Sequence, residues 1–76
     1  MNRKDREELA KAYDLLIEAK EIVELKMNEE QEKFDNLSEG LQNTTRGMIM
    51  EEAAAEMDVI CDDIEDTANR LIEIFQ

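Results

Sequence analysis

Apolar residues in the second half of the chain recur at Met50, Ala53, Met57, Ile60, Ile64, Thr67, Leu71 and Ile74, an alternating spacing of three and four with one polar interruption. That is the helical period, and a run of this length predicts coiled-coil packing. Ala54, Cys61, Ala68 and Phe75 form a flanking third column. The first half obeys the same rule. Leu9, Ala12, Leu16, Ala19 and Val23 define its seam. Tyr13, Leu15, Ile17, Ile22, Met27 and Phe34 widen that seam to an arc of roughly 220°, beyond the ordinary single-sided stripe.

Two long helices are therefore expected, over about residues 5–35 and 45–75. The turn between them, about residues 36–44, concentrates turn formers in Asp35-Asn36-Leu37-Ser38-Glu39-Gly40. Ser38 is placed to cap a short helical turn through Gln42, and Asn43, Thr44 or Thr45 to cap the next helix. Gly47 falls in the first turn of that helix, where its cost is small, and Leu37 and Leu41 are expected to fold back over the end. Each long helix spans some 45 Å at about 1.5 Å per residue. Equal lengths and a short connection predict an all-α, antiparallel two-helix hairpin as a single domain over residues 1–76.

A two-helix hairpin leaves the wide arc of the first helix partly uncovered. Pairing of two hairpins into a four-helix bundle, as a homodimer, is the simplest cover. Its self-association seam comprises Leu9, Leu16, Val23, Met50, Met57, Ile60, Ile64 and Leu71. A longer helical partner supplied by another protein is the rival.

Composition narrows the class. With 76 residues, no Pro and two Gly, the chain reads as long helix and is short for comfortable independent stability. Cys61 is the only cysteine, so no disulfide forms within the chain. The absence of His removes the commonest zinc ligand and the commonest general base. A lone Cys without a secretory segment fits a reducing compartment, and a cytoplasmic location is expected. No apolar run approaches the roughly 18 residues of a membrane span.

Charge supplies the one functional signal. Net charge is −12, with −4 over residues 1–35 and −8 over residues 36–76. Between Arg46 and Arg70 stand eight carboxylates and no base: Glu51, Glu52, Glu56, Asp58, Asp62, Asp63, Glu65 and Asp66. They are expected to form one unrelieved negative face on an ordered helix. Glu52/Glu56, Asp58/Asp62 and Asp62/Asp66 are like charges four apart, each costing a few tenths of a kcal/mol. The first helix, by contrast, balances itself through Glu7 with Lys11 and Glu29 with Lys33. A field kept at such cost suits steering towards a basic surface, or imitation of a phosphate ladder, because carboxylates on successive turns stand about 5–6 Å apart. The bland alternative is a solvated face that keeps a sticky bundle soluble. Direct binding to nucleic acid or to an acidic membrane is disfavoured by the sign of the charge.

Other candidates read as structure. Glu18-x-x-Glu21-x-x-Glu24, Glu29-x-x-Glu32 and Glu32-x-x-Asp35 superficially resemble the magnesium-holding carboxylate pairs of all-helical nucleotide pyrophosphatases, but Glu18, Glu21 and Glu24 fall on the polar side of the wheel. No metal, cofactor or enzymatic activity is expected. Cys61 reads as a buried small apolar thiol, Thr67 as a hydroxyl returned to its own backbone, and the five Met as core filling. Leu25 and Val59 fall outside the apolar arcs, and would anchor a partner if they shared one patch beside the acidic face.

The string Phe34-Asp35-Asn36-Leu37-Ser38-Glu39-Gly40-Leu41-Gln42, followed by Arg46-Gly47 and Met50-Glu51-Glu52-Ala53, resembles small, largely uncharacterised acidic helical proteins encoded by phages and prophages of Gram-positive bacteria. In them a similar F-D-N-L-x-E-x-L-Q stretch precedes an acidic helix. The likeness covers roughly residues 30–66, and it implies a phage product acting in bacterial cytoplasm. The expected function is a non-enzymatic inhibitor that docks its acidic helix on the basic, nucleic-acid-binding surface of a host protein. A structural or assembly protein that only self-associates is the alternative.

Overall fold

The computed structural model describes residues 1–76 and consists of α1 (Arg3–Asp35), α2 (Glu39–Gln42) and α3 (Thr45–Phe75). Each helix starts on a capping side chain. Asn2 accepts the Asp5 N–H at 2.8 Å, Ser38 accepts the Leu41 N–H at 3.3 Å, and Thr44 accepts the Gly47 N–H at 3.3 Å. The Asn2 cap explains why α1 begins at Arg3, two residues before the expected start near residue 5. At the far end of α1 the Asn36 N–H reaches Glu32 O at 3.0 Å, and Gln42 Nε2 donates to Phe34 O at 3.1 Å, which ties the short α2 to α1.

α1 and α3 pack antiparallel along their whole lengths, giving a rod of 59 × 14 × 13 Å. Its radius of gyration is 17.2 Å, where a compact chain of this length would show about 11 Å. The facing positions alternate by four and three on both helices. On α1 they are Leu9, Tyr13, Leu16, Lys20, Val23, Met27, Glu30 and Phe34, all half-buried. On α3 Gly47, Ala54, Cys61 and Ala68 are buried, with Met50, Met57, Ile64, Leu71 and Phe75 half-buried between them.

The register sets large residues of α1 over small ones of α3. Cys61 Sγ lies 3.8 Å from Lys20 O, Met27 borders the same cleft as Ala54, and the Tyr13 and Phe75 rings meet edge-on at 6.2 Å. Small side chains let the helix backbones approach closely, and the long side chains of α1 drape over the gap. A thiol touching a backbone carbonyl is the direct sign of that approach.

Here the structure corrects the expected seam. Leu9, Leu16, Val23, Met50, Met57, Ile64 and Leu71 do lie in the helix pair, inside one chain. Ile60 does not: it is 37% exposed, and Cys61 takes the facing position. Ile74, also exposed, likewise yields to Phe75, and Ala19 to the half-buried Lys20, whereas Ala53 and Ala12 stay half-buried beside Ala54 and Tyr13. The third column is the true contact, because close approach of α3 needs small residues there. Leu37 is half-buried at the turn, but Leu41 stays 53% exposed, so only one of the two closes the end. The ion pairs also change partners: Arg3–Glu7, Lys26–Glu29 and Lys33–Glu30 replace the expected Glu7–Lys11 and Glu29–Lys33.

Candidate binding surface

A hairpin has two broad sides, and the heptad positions decide what each displays. In an antiparallel pair, the residues flanking the same half of the seam on each helix lie side by side. One side carries the columns next to Lys20 and Cys61. From α3 it receives Glu51, Asp58 and Glu65 at intervals of seven, with Asp62 beside them, and from α1 it receives Glu24. Three observations confirm that grouping. Lys20 Nζ reaches Glu65 across the seam at 3.4 Å. Met27, Asn28 and Gln31 line one open cleft with Glu51, Ala54 and Asp58. The charges acting on Cys61 are those of Glu24, Lys20, Asp58 and Asp62.

Those charges have a chemical consequence. Burial pushes the Cys61 thiol above its ordinary range, the carboxylates of Glu24, Asp58 and Asp62 push it further, and Lys20 pulls it back in part. The balance disfavours the thiolate, and the buried sulfur serves as packing against the Lys20 carbonyl.

All eight acids singled out from the sequence are exposed, but they do not share one face. Glu51, Asp58, Asp62 and Glu65 lie on the side just described. Glu52 and Asp66 lie on the outer edge of α3. Glu56 and Asp63 lie at the margin of the opposite side, Asp63 in a shallow depression shared with Arg70. Nor is the face unrelieved: α1 lends it Lys20. Sequence reading missed Glu24 and Lys20 as members of this surface. The available signal was the interval of seven that joins Lys20 to Tyr13, Met27 and Phe34, which marks it as a facing residue.

The remaining candidates are dispersed. Leu25 and Val59 are 57% and 51% exposed, on the outer edges of opposite helices, so they form no common patch. Thr67 Oγ1 donates to Asp63 O at 2.9 Å, the return to its own backbone that its sequence position suggested. Glu18 and Glu24 lie on different sides of α1, and no three carboxylate or thiol groups converge as metal ligands. No helix is long and apolar enough to cross a membrane. Comparison with protein-family models, curated proteins and solved structures finds no match to this chain.

Proposed function

We propose that this chain is a non-enzymatic protein-binding module that docks its acidic side on a basic, nucleic-acid-binding surface of another protein, as a phage-encoded inhibitor of a host protein. The observation that supports this most is the sorting of charge by the fold. Glu24 of α1 joins Glu51, Asp58, Asp62 and Glu65 of α3 on one ordered side, opposed by Lys20. Opposite them, the flank of the hairpin mixes Lys26, Lys33, Arg46 and Arg70 with its acids. A coat that served solubility alone would gain nothing from such sorting. The helices fix the backbone that carries these carboxylates, so docking has only their side chains to order. The resemblance around Phe34–Gln42 suggests the phage setting, and cytoplasmic action belongs to the same proposal.

Pairing of two hairpins into a homodimeric four-helix bundle is part of this reading. The assembly-protein alternative draws on the same pairing and is favoured by the thin interior, in which nothing larger than Cys61 is buried. Capture from a bacterial lysate separates the two. The wild-type chain should enrich basic nucleic-acid-binding proteins at low salt and release them as salt screens the contact. Recovery of the chain with itself alone, indifferent to salt, would favour assembly.

A further inference from the structure

The side opposite Glu51, Asp58, Asp62 and Glu65 carries an open apolar strip bordered by charges of both signs. Leu15 and Ile22 of α1 and Ile49, Ile60 and Ile74 of α3 project there, 37–60% exposed. We infer that a second copy of this chain covers this side, the two hairpins lying face to face with their loops at opposite ends. The inference rests on the pairing proposed above and adds its face and its direction.

Area argues for a cover of this size. A compact monomer of this mass exposes about 4,800 Å², whereas this chain exposes 5784 Å². The excess of about 1,000 Å² slightly exceeds the roughly 800 Å² that each partner contributes to a standard interface. The open strip follows α3 from Ile49 to Ile74, nearly the full length of the hairpin, which a second hairpin matches end to end.

Charge selects the occupant and its direction. Along the open flank of α1 the order is Asp5 and Glu8, then Ala12, Leu15, Ala19 and Ile22, then Lys26, Glu29 and Lys33, so the last stretch is net basic rather than wholly basic. An acidic end, an apolar middle and a basic end form a sequence complementary to its own reversal. A two-fold axis near Ala19 sets Asp5 of one copy against Lys33 of the other and Leu15 against Ile22. Lys26 holds Glu29 in an exposed pair, and Lys33, itself exposed, reaches the half-buried Glu30, so both ammonium groups remain open to a new partner. Because Lys20 faces Cys61, the same axis meets α3 near Ile60, where Ile60 would meet its own copy; at the exposed margin Glu56 of one copy then stands level with Asp63 of the other, a like-charge pair that solvent and salt screen. With the loops at one end instead, Lys33 and Arg46 of both copies would crowd together. The proposed direction also leaves the two acidic sides pointing outward, back to back, so the dimer is bivalent.

Sedimentation equilibrium of the wild-type chain at micromolar concentration should give twice the 8.9 kDa chain mass. A helical monomer at that concentration would overturn the inference. Direction is read by a spin label at Gly40→Cys in a Cys61→Ala background, since nothing lies within 4 Å of a Cβ at Gly40. Loops at opposite ends predict a separation of roughly 50 Å, twice the helical run from Ala19 to the turn at about 1.5 Å per residue. A separation under about 30 Å, as for neighbouring helices some 10 Å apart with their label arms, would overturn the direction. Ile60→Glu should abolish the dimer, by dissociation or unfolding, while Val59→Glu on the outer edge should not. An intact Ile60→Glu dimer would sink the choice of face. Loss of acid-side binding with the dimer intact would instead sink the proposed function and leave this inference standing.

Discussion

Gly47→Ala tests how tightly the α2 turn is held against the start of α3. A Cβ built at Gly47 would stand 2.5 Å from Gln42 O and 2.6 Å from Leu41 O, both backbone atoms. Neither can swing aside as a side-chain tip would. The backbone of Gln42 is in turn fixed by its N–H on Ser38 O at 2.9 Å and its side chain on Phe34 O at 3.1 Å. Relief therefore means shifting the whole turn, a forced-overpacking cost of about 1–3 kcal/mol. Ala is the better helix former by about 1 kcal/mol in a helix interior, and by less in a first turn. The balance is a net loss of about 1–2 kcal/mol, or roughly 4–16 °C in Tm at 4–8 °C per kcal/mol for a domain of this size. Gly40→Ala is the internal control, because its Cβ meets nothing within 4 Å and its backbone is already helical. That change should stabilise slightly, by up to about 1 kcal/mol. Thermal melts followed by circular dichroism measure both. If Gly47→Ala melts at or above the wild-type temperature, the close packing of the turn on α3 is wrong.

Ala68→Leu should cost about 1–3 kcal/mol, because Ala68 is wholly buried where α3 presses on α1; a neutral change in the denaturant midpoint would contradict the large-over-small register. Cys61 supplies a pH signature. Its folded pKa is raised, so the stability it contributes is complete below the ordinary thiol value of 9.0 and is lost as pH rises through the raised folded value. Wild type should lose stability across that alkaline window more steeply than Cys61→Ala, and parallel curves would show that the thiol is not buried. Over the same range, alkylation of native Cys61 should lag far behind alkylation of the urea-unfolded chain.

Helix bounds followed closely from local chemistry. Asn2, Ser38 and Thr44 are capping residues, Pro is absent, and nothing between them interrupts the helical period. The seam was only half legible. Periodicity marks a band of apolar columns but does not say which neighbouring pair the partner helix will occupy. Weighting by size favours Ile60 and Ile74, whereas helix approach favours Gly47, Ala54, Cys61 and Ala68. Surface sidedness needs the register as well. Glu51 and Glu52 are adjacent in sequence, yet they occupy different sides of the hairpin. Glu24 and Asp58 are far apart along the chain and meet around Cys61. Ion-pair partners were the least legible feature, since exposed Lys and Glu have several neighbours of nearly equal energy.

Two variants of equal net charge decide whether the sorted acids form a binding surface. The first neutralises Glu51, Asp58, Asp62 and Glu65 on the acidic side as Gln or Asn. The second neutralises Glu18, Glu32, Glu52 and Asp66 on the outer edges in the same way. Each removes four charges from −12 and leaves −8. Repulsion within the chain falls in both, since each removes one member of the Asp62/Asp66 pair, so both should stay folded. Capture of basic nucleic-acid-binding proteins from lysate at low salt should collapse for the first variant alone, with the second close to wild type. Equal capture by the two variants would show that only total charge matters, and that the acidic side of the hairpin is merely solvated.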